Sequence, residues 1–165
     1  MKRFAILALS AATLLATACT KDKENTPQPQ PKTTEQLLSA NVWRMTGLTA
    51  NPGLQTSTGT TVTDIYPFIP SCTKDDTQQF VAGGQFKMDE GSSKCDGSDP
   101  QTTTGTWTAA KSGTDTNVTV NMGGGTLHLK VLEVTDTQLK VSSNDDVFGI
   151  GTGNSVTYTM TYAKQ

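Results

Sequence analysis

Val156-Thr157-Tyr158-Thr159-Met160-Thr161-Tyr162 alternates a large side chain with a small polar one at every step. Successive side chains of a strand point to opposite faces, so Val156, Tyr158, Met160 and Tyr162 share one face and three threonines the other. Thr126-Leu127-His128-Leu129-Lys130-Val131 repeats the pattern, with the leucines and valine on one side and the polar residues opposite. A period of two over this length predicts half-buried strands.

Six further segments read the same way outward from these two: Trp43 to Thr49, Thr77 to Val81, Gln85 to Asp89, Thr103 to Ala109, Asn117 to Asn121 and Gln138 to Ser142. They are separated by turn signals such as Ala82-Gly83-Gly84, Lys111-Ser112-Gly113 and Gly123-Gly124-Gly125. The chain holds 30 threonines, a β-branched residue suited to a half-exposed pleated surface. The expected fold is all-β: about eight antiparallel strands in an up-and-down meander, closed as a barrel or flattened as a sandwich. Residues 51–70 fit no strand and are expected to form an extended loop between the first two. Ahead of the first strand, Thr33-Thr34-Glu35-Gln36-Leu37-Leu38 has a hydroxyl cap candidate with Gln36 three positions on, which predicts a short N-terminal helix.

The 165-residue chain is 34% apolar and 17% charged, an ordinary composition for one small domain once its N-terminus is set aside. That N-terminus carries Lys2 and Arg3, an apolar run from Phe4 to Ala16 broken by Ser10 and Thr13, and then Thr17 and Ala18. The run falls short of the ~20 residues a bilayer span needs, and residues 1–18 read as a signal peptide. Leu15-Ala16-Thr17-Ala18-Cys19 resembles a bacterial lipobox, in which the cysteine is acylated and becomes the mature N-terminus. An ordinary cleavage near Ala18 is the alternative. The cysteine count of three supports lipidation, because an exported protein with an odd thiol calls for an explanation and Cys72 and Cys95 form an even pair.

Residues 19–32 then form a tether. Pro27, Pro29 and Pro31 alternate with Gln28 and Gln30, a pattern that supports neither helix nor buried strand. At about 3.1 Å per residue, a dozen extended residues hold a domain up to roughly 40 Å from its lipid. Lys21-Asp22-Lys23-Glu24 resembles the surface-export signals of Bacteroidota lipoproteins, which implies an outer-membrane, cell-surface address. Loss of residues 1–18 removes two positive charges and no acids, leaving the mature chain more acidic than the formal −2 of the whole. That balance offers no general attraction to nucleic acid.

A helix before a strand opening at Trp43, the run Cys72-Thr73-Lys74-Asp75-Asp76 leading to Phe80, a cysteine after Phe86, Gly105-Thr106-Trp107 and the closing Tyr158-Thr159-Met160-Thr161-Tyr162 together resemble the lipocalin-like domains of Bacteroidota lipoproteins. The resemblance covers about residues 35 to 165, within a β domain assigned to 33–165. Lipocalins open with Gly-x-Trp where this chain has Asn41-Val42-Trp43. The resemblance implies a small up-and-down barrel.

Cys72 and Cys95 flank a predicted hairpin and are expected to form a disulfide in an oxidising compartment, worth roughly 3 kcal/mol through loop closure. A metal or redox pair is the alternative, against which stands the lack of a CxxC motif or a nearby histidine. His128, the sole histidine, reads as a solvated strand residue. Asp75-Asp76 and Asn144-Asp145-Asp146 lack calcium-loop spacing and read as turn residues with local backbone bonds. Gly123-Gly124-Gly125 and Gly149-Ile150-Gly151-Thr152-Gly153 read as hairpin loops, since no phosphate-loop Lys-Ser/Thr follows.

Trp43, Phe80, Phe86, Trp107, Leu127, Leu129, Val131, Tyr158, Met160 and Tyr162 form the expected inward set. These side chains either fill the barrel or line a calyx, because an eight-stranded barrel is just wide enough for one small ligand. The leading functional expectation is a non-catalytic envelope lipoprotein binding a small hydrophobic molecule, with no cofactor and no metal. The second is a structural or protein-interaction module with a filled core, using the loop that holds Ile65, Tyr66, Phe68 and Ile69. An enzyme is the weakest reading, as no nucleophile-base pair, metal set or cofactor fingerprint is visible.

Overall fold

The computed structural model describes residues 30–146 and 155–165. The expected signal peptide, Cys19, most of the expected tether and the stretch Gly149–Gly153 expected as a hairpin loop lie outside the described residues. The elements run α1 (Thr34–Ser39), β1 (Val42–Gln55), β2 (Thr61–Asp64), a 3-10 turn (Tyr66–Phe68), α2 (Ser71–Lys74), β3 (Thr77–Val81), β4 (Gln85–Asp89), β5 (Thr102–Ser112), β6 (Asp115–Met122), β7 (Gly125–Val134), β8 (Gln138–Ser143) and β9 (Thr157–Lys164).

Each strand from β3 to β9 pairs antiparallel with the next, as short turns between alternating segments dictate. β1 pairs with β3 on one side, through Trp43↔Gln78, and with β9 on the other, from Trp43↔Lys164 to Asn51↔Thr157. That double pairing closes β1 and β3 to β9 into an eight-stranded barrel, with β2 added outside the closure on β1.

One expectation needs correction. Residues 51–70 are not a plain loop: β1 continues to Gln55, and β2 pairs with this extension through Leu54↔Val62 and Gln55↔Thr61. Pro52 lacks an amide donor and so disfavours a regular ladder at this point. The β1–β2 register shifts between Thr49 and Leu54, so Pro52 falls where the ladder is already irregular and the strand passes through it. The resulting flap folds back onto the barrel, with the Tyr66 hydroxyl donating to the Met45 carbonyl at 3.1 Å.

Inward side chains follow the alternation. Trp43, Phe80, Phe86, Trp107, Leu129, Tyr158, Met160 and Tyr162 are buried, whereas Leu127 and Val131 are half-buried. Part of the core lies beneath α1. Thr33 caps this helix reciprocally with Gln36, its side chain accepting from the Gln36 amide and its own amide donating to Gln36 Oε1. Leu38 is thereby turned inward against Trp43, and both are fully buried. Phe80 meets Phe86 and Trp107 edge-on, with centroids 5.2 and 5.3 Å apart. Gly105 lies opposite Phe86, where an added Cβ would come within 2.2 Å of the Asn121 carbonyl oxygen, so the β5–β6 approach there requires glycine.

Candidate ligand site

The two ends of the barrel are built differently. α1 and the turns after β3, β5 and β7 close one end, and Lys32 and Asn41 tie the helix segment to Asp136 of the last of these turns. α2, the β4–β5 loop and the β6–β7 turn stand around the other end. The Cys72–Cys95 disulfide links α2 to the β4–β5 loop. Three residues along, the Asp75 carboxylate makes a second link, accepting from the amides and hydroxyls of both Ser92 and Ser93 at 2.6 to 2.9 Å. These bonds hold its pKa down at about 2, the Ser92 hydroxyl being the largest cause.

Between these loops and the packed end the interior opens into two lobes. The first, about 270 Å³, is lined by Phe86, Met88, Val120, Met122, Leu127 and Leu129, with Asp145 and Asp146 also on its wall. The second, about 260 Å³, is lined by Met45, Met88, Leu127, Met160 and Tyr162, together with Asp76 and Gln78. Gln78, Met88 and Leu127 belong to both. Leu127 is half-buried because it stands on this shared wall rather than in the packed layer.

The expected inward set therefore divides. Phe86, Leu127, Leu129, Met160 and Tyr162 line the lobes, whereas Trp43, Phe80, Trp107 and Tyr158 fill the barrel elsewhere. Met45, Met88, Val120 and Met122 were missed as lining residues, as were Asp76 and Gln78. Gln78 carried a legible signal, because alternation along β3 places it on the same face as Phe80. Asp76 carried none.

The polar groups of the second lobe are unlike one another. Burial raises the Tyr162 hydroxyl pKa to about 12, keeping it a neutral donor that reaches Met160 Sδ at 3.5 Å and also hydrogen-bonds the Gln78 side chain. The Asp76 carboxyl is partly buried, and its Oδ1 is closed off from solvent with no hydrogen-bond partner among the described residues. Burial, followed by the negative charges of Glu90, Asp75 and Asp89, pushes its pKa up to about 6.

The reading of both acidic runs as locally bonded turns is corrected by these contacts. Asp75 bonds residues 17 and 18 positions away. The Asp145 carboxylate accepts from the His128 amide at 2.6 Å and lies 3.2 Å from His128 Nδ1. His128 itself is solvated, as its place on the polar face of β7 implies. The Asp145 amide bonds locally, to Ser143 Oγ.

The raised pKa of Asp76 makes stability depend on pH with a definite sign. An unfolded carboxyl titrates near its ordinary 3.8, so between there and about 6 the folded protein binds the extra proton. The stabilisation is full below the first value and lost as pH rises through the second. A two-unit shift corresponds to about 3 kcal/mol for a fully buried group, and the partial exposure of Asp76 reduces it to about 1 kcal/mol. Asp76→Asn should thus raise Tm by about 3–5 °C above neutrality and by little near pH 4. Thermal melts of both proteins across this range check it, and a pH-independent difference would contradict it.

A family model described as a lipocalin-like domain matches residues 41–141, well over half of the chain, from the start of β1 into β8. No curated protein matches the chain.

Proposed function

Because this chain belongs to the lipocalin-like domain family, we propose that its barrel shelters one small apolar molecule in the two lobes, without catalysing a reaction on it. The observation that carries this reading is the uneven interior: the end under α1 is packed, while the other end leaves methionine- and leucine-lined space of about 270 and 260 Å³. Ligand cavities start at about 300 Å³, and Met88, an unbranched and adaptable side chain shared by both lobes, lets one ligand draw on the two together.

A neutral apolar dye such as phenylnaphthylamine tests this directly. Binding should be saturable, and Leu127→Trp, which fills the shared wall, should weaken it at least about tenfold. Equal affinity in parent and variant would overturn the cavity as the binding site.

The lipoprotein part of the proposal rests on Lys2, Arg3, the apolar run after them and Cys19. It places the barrel on a lipid anchor at the outer membrane, facing the cell surface if the charged cluster acts as an export signal. Labelling with a palmitate analogue should be lost in Cys19→Ala and kept in Cys72→Ala. A second reading, a structural or protein-interaction module, is favoured by Phe68, which is 68% exposed on the flap while Ile65, Tyr66 and Ile69 pack inward. Single exposed aromatics are common, so a silent dye titration is the result that would bring this reading forward.

A further inference from the structure

We propose that the sheltered molecule carries a positively charged amine head, held at Asp76 with its apolar body in the lobes; this rests on the cavity reading above. Asp76 is the one carboxylate among the described residues that line the second lobe, whose other polar lining is Thr73, Thr77, Gln78 and Tyr162. Met45, Met88, Leu127 and Met160 supply its greasy wall, and Tyr162 and Gln78 already engage each other. Asp76 is left with an oxygen closed off from solvent and without a hydrogen-bond partner, and with no ion pair among the described residues. A carboxylate so placed is stabilised by a donor from outside the chain, and a cationic donor meets its charge as well as its lone pairs.

The surroundings select the sign of the head group. The charged neighbours that act on Asp76 are Glu90 and Asp89, from β4 and the loop after it, and Asp75 beside it, all acidic. Tyr162, from β9, is uncharged at any working pH. Asp145 and Asp146 line the adjoining lobe, and neither lobe is lined by a lysine or arginine among the described residues. A fatty-acid carboxylate would meet only like charge here, and an alcohol would satisfy hydrogen bonding without answering the charge. An alkylamine does both.

Octylamine, octanol and octanoate share one apolar body and differ in the head, so calorimetric titration of the intact protein with each separates the two ideas. Near neutral pH octylamine should bind at least about tenfold tighter than octanol, and octanoate weaker than octanol. Asp76→Asn should abolish the amine preference, so that octylamine and octanol bind the variant with equal affinity. In the parent protein the octylamine affinity should fall about fivefold between pH 6 and pH 5, as Asp76 takes up its proton, while octanol binding stays level. Octanol bound as tightly as octylamine, octanoate bound tightest, or an amine preference that survives Asp76→Asn would each overturn the charge assignment and leave the cavity reading standing. Failure of all three to bind would overturn both.

Discussion

Trp43→Ala is expected to cost about 3–5 kcal/mol of folding stability, a large part of the ~5–15 kcal/mol that holds a domain of this size. The side chain is fully buried where β1 leaves α1. Its indole Nε1 donates to the Leu38 carbonyl at 2.9 Å, satisfying an acceptor in the last turn of the helix. Truncation therefore opens a cavity at the packed end and also leaves that carbonyl buried without its donor. Trp43→Phe separates the two contributions: it keeps most of the ring volume and should cost about 1–2 kcal/mol. Urea unfolding followed by circular dichroism measures both. A loss below about 1 kcal/mol for the alanine variant would show that α1 is not locked to the barrel through this residue.

Removing the disulfide with Cys72→Ser and Cys95→Ser together is expected to cost about 3 kcal/mol, from the entropy released to the unfolded chain when a closure across 23 residues is lost. The native barrel should persist, because Asp75 clasps the same two segments through Ser92 and Ser93. That clasp has its own pH limit. The Asp75 pKa is lowered to about 2, so its contribution is present above the ordinary 3.8 and is lost as pH falls through the lower value. Combining the serine variants with Asp75→Asn should therefore cost more than the sum of the separate effects, since each clasp holds the loop in place for the other. Thr73 and Asp76 of the second lobe flank this junction, so the triple variant should also bind the apolar dye more weakly. An unchanged urea midpoint on reduction would contradict the loop-closure argument, and strict additivity would contradict the coupling.

Much of the barrel was legible because its signals are local. Alternation in residues 126–131 and 156–162 assigns each side chain a face without reference to any neighbour. The capping box at Thr33 and Gln36 is likewise contained within four residues. The 51–70 segment misled for the same reason: Pro52 lacks an amide donor, and only the pairing with β9 up to Asn51 and the pairing with β2 that resumes at Leu54 mark the strand on either side of it.

The candidate site was half legible. Leu127, Leu129, Met160 and Tyr162 were expected inside, yet nothing in the sequence separated them from Trp43 or Tyr158, which fill the core. Cavity volume is what remains when side chains from eight strands are fitted into one enclosure, so it depends on register and closure, which are long-range. Asp75 and Asp76 make the point most sharply. As neighbours in sequence they received one interpretation, but the β4–β5 loop supplies four donors to the first and none to the second. The sequence alone determined the eight barrel strands, their inward faces and the short capped helix, because period and capping act within a few residues. The tertiary structure decided where the barrel is solid and where it is open, and which carboxylate is left unsatisfied, because those depend on residues brought together from distant parts of the chain.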